Sequence, residues 1–229
     1  MKEETIKKVE EDIKKWAYLA KLPTQMAGFS YQKNMTVEDD IYLIFSYENS
    51  AAHCTAAAYY HEETKEYKLR VQIGLTKFCR IECITPNIIV FERQLQEHLQ
   101  KILIELTTFD PKTISSIVHK KNIMTWEYGK SLPPVLDGFE RFISPDKPLK
   151  ITNGSYIILD YSDFSIESNF TLYYNIFRDE FFGEGSIYGV LQTNYLFDTN
   201  ELSELSGKLQ HHLVTQLQDI RQKALMQKR

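Results

Sequence analysis

His98 and His212 fall at matching places in two leucine-striped segments near the ends of the two halves of the chain. Imidazoles brought together across a twofold could share a proton or begin a metal site. Zinc wants three or four ligands, however, so two rings alone make an incomplete set. His211 and His212 are neighbours on one helix, point to different sides and cannot close on one ion. Cys79 and Cys83 lie four apart in a strand-like stretch, which places both thiols on one face. No second pair completes a zinc motif, and buried inert thiols are the expected reading. His53-Cys54 resembles a nucleophile beside its base, but adjacent strand residues face opposite sides.

The carboxylates form two further groups. Asp39-Asp40 precedes Glu63-x-Lys65 and Glu66-x-Lys68 in a charge-mixed stretch, His61 to Lys68, that reads as a solvated hairpin turn. Asp160 and Asp163 flank Tyr161 and could support metal-assisted hydrolysis, although no further ligand motif accompanies them. The run G-E-G-S-I-Y-G (Gly183, Gly185, Gly189) has no helix directly after it. It therefore reads as a hairpin turn or bulge and not as a phosphate loop. Neither a catalytic set nor a cofactor motif emerges, and no cofactor is expected.

The elements that must position these residues repeat. Trp16 to Phe29 and Trp126 to Phe139 both read W-x-Y-x-x-x-L-P-x-x-φ-x-G-F, where φ is Met26 or Leu136. From Tyr42 and Tyr156 onward the offset is constant, and Tyr59-Tyr60 meets Tyr173-Tyr174, Ile73 meets Ile187, and His98-Leu99 meets His212-Leu213. About a dozen identities accumulate without a gap as far as Leu106. The reading is an α+β chain built by tandem internal duplication of a helix–antiparallel meander–helix unit, with the repeats at 1–108 and 109–229 related by a pseudo-twofold.

Within each repeat, Ile6, Val9, Ile13 and Trp16 mark an opening helix, and Asp110-Pro111 starts its counterpart. Leu22-Pro23 and Leu132-Pro133 stop these helices. Alternation of Leu69, Val71, Ile73 and Leu75 predicts a half-buried strand. Cys79, Ile81 and Cys83, matched by Thr193, Tyr195 and Phe197, predict another. Thr85 and Thr199 are placed to cap the closing helices.

Composition narrows the function. Of 229 residues 43% are hydrophobic and 25% charged, the balance of a globular protein, and the net charge of −4 gives no general attraction to phosphate backbones. Nucleic-acid binding is therefore the least favoured class. Three cysteines, no apolar leader and no apolar run long enough for a bilayer point to a cytoplasmic location without membrane insertion. The expected function is a non-enzymatic protein-binding module: an adaptor, secretion-chaperone-like or immunity-type protein gripping a protein partner, with a homodimer also compatible. The alternative is a ligand sensor or enzyme with a pocket or groove between the repeats, to which Tyr42, Tyr59, Tyr156, Tyr173, His98 and His212 would contribute.

Overall fold

The computed structural model describes residues 1–227. The chain is α+β, with two antiparallel sheets of six and seven strands, and it divides into two compact units, Met1–Phe109 and Asp110–Arg229.

In the first unit, α1 (Glu3–Lys14) and a 3-10 turn (Ala17–Lys21) lead to six strands: β1 (Gln25–Met26), β2 (Phe29–Glu38), β3 (Ile41–Asn49), β4 (Cys54–His61), β5 (Glu66–Ile73) and β6 (Thr76–Thr85). They pair in chain order as a meander, and α2 (Ile88–Thr107) packs on β4, β5 and β6. The predicted alternation is seen in β5, where Tyr67, Leu69, Val71 and Ile73 are buried and the residues between them are half-buried. Register places Tyr60 opposite Tyr67 and Ala56 opposite Val71. With Phe91, Leu95, Leu99 and Leu103 of α2 they form the main core. Thr85 does not cap α2. Asn87 does so, its side chain accepting from the Ile89 and Val90 N–H groups, while the Thr85 hydroxyl accepts from Asn87 N–H.

The second unit opens differently from the single helix expected after Asp110-Pro111. Asp110 does cap, accepting from Lys112 N–H, but the turn it starts is a 3-10 piece of three residues, Pro111–Thr113. Short helices α3 (Ser116–Lys120) and α4 (Glu127–Ser131) follow, interrupted by Asn122 in the left-handed region. The strands are β7 (Val135–Leu136), β8 (Phe139–Ile143), β9 (Leu149–Lys150), β10 (Ser155–Asp163), β11 (Ser168–Asn175), β12 (Glu180–Ile187) and β13 (Val190–Thr193). Their order is β13-β12-β11-β10-β8-β7, with β9 on β10, and the closing helix α5 (Leu202–Gln227) packs on β11 and β12.

Each unit ties its Leu-Pro corner to the sheet through a buried tyrosine. Tyr47 Oη donates to the Pro23 carbonyl at 2.7 Å, and Tyr161 Oη donates to the Pro133 carbonyl at 2.6 Å. Burial pushes both phenols up to about 12, so they remain donors throughout the neutral range. The Trp16 indole N–H donates to Glu92, and that of Trp126 to Ser206. In both units the Trp is therefore a peg that joins the corner to the closing helix. Tyr47→Phe keeps the packing and removes one bond, so a loss of about 1 kcal/mol is expected in urea unfolding.

Core volume is distributed differently in the two units. Where the first has Ala56, Leu69 and Cys83, the second has Phe170, Gly183 and Phe197 at the corresponding places. A Cβ on Gly183 would lie 2.9 Å from both Phe170 and Phe197, whose rings are 4.9 Å apart. Gly183 and Gly185 thus lie inside β12, beneath aromatic rings and α5, and not in a turn as the glycine run suggested. Only Gly189, at φ +79°, makes the turn.

Candidate functional site

Strand alternation separates the tyrosines nominated by sequence. Tyr42 lies opposite Tyr60 on the helix-covered face of the first sheet. Tyr59 lies opposite Lys68 and Leu43 on the other face. Tyr156 and Tyr173 divide in the same way, Tyr156 opposite Tyr174 and Tyr173 opposite Ile157 and Phe182. Within neither unit do the paired tyrosines line one groove. The Tyr156 hydroxyl accepts from Ser115 N–H, and Tyr173 stacks on Phe182. His98 is half-buried on α2 with Nε2 3.8 Å from Glu97, and His212 is exposed on α5.

The cysteines are reduced and separate. Between paired positions, one residue of β5 (Leu69) faces four of β6 (Arg80 to Cys83), and this bulge turns Cys79 and Cys83 to opposite faces. Cys79 Sγ lies 3.3 Å from Tyr59 Oη, while Cys83 is fully buried. Burial pushes the Cys83 thiol up to about 12 and that of Cys54 to about 11, which leaves both without thiolate character near neutrality.

Asp160 and Asp163 do not converge either. Asp163 faces α5 and pairs with Arg221 at 2.7 Å. Asp160 is buried on the other face, where its carboxylate accepts from Ser162 Oγ (2.6 Å), Thr171 Oγ1 (2.7 Å) and Asn169 Nδ2 (2.9 Å). Burial holds its carboxyl above the ordinary aspartate range against the opposing effect of those three donors. With its lone pairs already engaged by the protein, this cluster is a closed structural network and offers no open ligand position.

The feature that sequence reading did not isolate is an edge. β13 ends the second sheet, and residues 185–197 carry no charged side chain. Val190 is 63% exposed, Leu191 61%, Leu196 46% and Tyr195 79%. The turn before β13 has positive φ at Tyr188 and Gly189, the signature of a tight two-residue hairpin. In such a hairpin Ile187 and Val190 exchange both bonds, so the N–H and C=O groups of Leu191 and Thr193 face away from β12. Tyr188 Oη donates to the Ala224 carbonyl and holds this turn on α5.

The corresponding edge of the first sheet is protected. β6 carries Lys77, Arg80 and Glu82 and is bent by its bulge. Arg80 bonds Glu82 (2.6 Å) and Glu105 (3.1 Å). Charges and bulges are the ordinary means of blocking edge pairing, and β13 has no charge at all. The signal was present as an uncharged run. The expected continuation of the strand through Tyr195 and Phe197 obscured it, because the strand stops at Thr193.

No family model, curated protein or solved structure matches the chain. No helix of the described residues is long and apolar enough to cross a membrane.

Proposed function

We propose that this chain is a tandem duplication serving as a non-enzymatic, cytosolic protein-binding module, and that β13 is its docking strand. The partner supplies an extended, uncharged segment that adds to the sheet beyond β13. The observation carrying this reading is the contrast between the two outer strands. One is charged and bulged, and the other is uncharged, with four exposed apolar side chains in β13 and the residues just after it. Main-chain bonds from Leu191 and Thr193 would supply affinity, and apolar contact with the exposed Leu191 and Tyr195 side chains would select the sequence. The duplication is supported by the Tyr47 and Tyr161 bonds to Leu-Pro corners and by bulges at Leu43/Phe45 and Ile157/Leu159. Three free thiols fit a reducing compartment.

The test is capture of partners from the source cell with the full chain and three variants. Leu191→Lys adds an edge charge, Thr193→Pro removes an outward donor, and Ile81→Lys alters the protected edge. A partner held by the wild type and by Ile81→Lys, and released by both β13 variants, is the expected result. A partner retained equally by all four proteins, or none recovered, would overturn the docking strand. A second copy of this chain appearing as the partner would identify the pairing as a homodimer.

A further inference from the structure

In the first unit, the β2–β3 turn, the end of β4 and the β4–β5 turn bring together three ligand-bearing side chains. Asp40 begins at the end of the β2–β3 turn, His61 ends β4, and Glu63 lies in the turn itself. Their ligand atoms all lie within 4.8 Å of one another, and His61 Nε2 is 2.8 Å from Asp40 Oδ2. The backbone holds these turns together, since Glu62 N–H donates to the Asp40 carbonyl at 2.9 Å. The far side of the imidazole is also held: Nδ1 lies 3.0 Å from Thr64 Oγ1 and 3.3 Å from Thr64 N.

We propose that Asp40, His61 and Glu63 bind a divalent first-row cation of the zinc class, with water completing the coordination. One imidazole and two carboxylates form a borderline donor set that suits such ions better than calcium, which takes oxygen ligands only. A metal-bound histidine commonly has its other ring nitrogen fixed by a hydrogen bond, and Thr64 is placed to do this. In the cation-free state Thr64 N–H can only donate, so a neutral ring has its lone pair at Nδ1 and its proton at Nε2, directed at Asp40. Binding takes the Nε2 lone pair. The proton moves to Nδ1, where Thr64 Oγ1 accepts it; the Thr64 N–H gives up its bond to that nitrogen and turns to solvent, and Asp40 exchanges a hydrogen bond for a metal bond. Ring charge is unchanged by this tautomer exchange. The bound ion would fasten the two turns whose neighbour, Glu62, accepts from Lys2 N–H and the Thr5 hydroxyl at the start of α1.

Zinc titration by calorimetry, with Co²⁺ absorption as the geometric readout, tests this on the untagged full chain. Saturable one-to-one binding is expected. It should be lost in His61→Ala, weakened at least tenfold in Glu63→Gln, and weakened about tenfold in Thr64→Val with an altered Co²⁺ spectrum. The double variant His211→Ala/His212→Ala should bind as the wild type does. Binding that survives His61→Ala, that disappears with the α5 histidines, or that is absent from the wild type would overturn the site. Circular dichroism of each variant separates loss of the ligand from loss of the fold.

Discussion

Phe170→Ala will destabilise the second unit by about 3–5 kcal/mol, and adding Gly183→Leu will recover part of that loss. Phe170 is fully buried against Phe197 and lies over the space where Gly183 has no side chain. Truncation alone leaves a cavity under α5. Gly183→Leu alone overpacks, because its Cβ would meet two aromatic rings at 2.9 Å, and a cost of about 1–3 kcal/mol follows. Together the two changes restore the Ala56 and Leu69 pair of the first unit and relieve the contact with Phe170, although Phe197 still stands where that unit has Cys83; Gly183 has no positive φ to forbid a side chain. The double variant should therefore be more stable than additivity allows by about 1–2 kcal/mol. Chemical unfolding of all four proteins measures the coupling. A double variant at or below the additive value would show that the two cores do not follow one plan.

Asp160→Ala is expected to cost about 3 kcal/mol or more, and Asp160→Asn little or nothing at neutral pH. Alanine leaves the Ser162 and Thr171 hydroxyls and the Asn169 amide without their shared acceptor in a buried place. Asparagine keeps an oxygen towards Asn169 and Thr171 and turns an amide towards Ser162. The pH dependence has a definite sign. Because the folded-state value lies above the ordinary aspartate value, the native state holds the proton more firmly than the unfolded chain. This favourable contribution is complete below the ordinary value and is lost as pH rises through the folded one. Unfolding measured from acid to neutral pH should show this decline in the wild type and its disappearance in Asp160→Asn. An unchanged pH profile in the variant would remove the buried carboxyl as its source.

Periodicity made parts of this fold readable. Strict alternation located β5, and the leucine stripes located α2 and α5, because one-sided burial writes its period into the sequence. β2 was not recognised: Phe29–Glu38 is polar and mostly exposed beyond Phe29, so it lacks an apolar face to alternate. The opening of the second unit misled because Asp110-Pro111 is a genuine start signal. Ile114, Val118 and Ile123 then lose helical spacing, and Asn122 breaks the run. The Asp40–His61–Glu63 cluster joins residues from two turns, and pairing register alone brings them together. The bulge that separates Cys79 from Cys83 is likewise a property of two strands and invisible in one.

The most direct measurement is amide hydrogen exchange of the chain with and without its captured partner, read residue by residue along β13. Strand addition predicts new protection at Leu191 and Thr193, whose N–H groups face outward, with little change at Val190 and Gln192, already bonded to β12. Unchanged exchange at Leu191 and Thr193, with protection appearing instead along α5 or the first unit, would contradict docking at this edge.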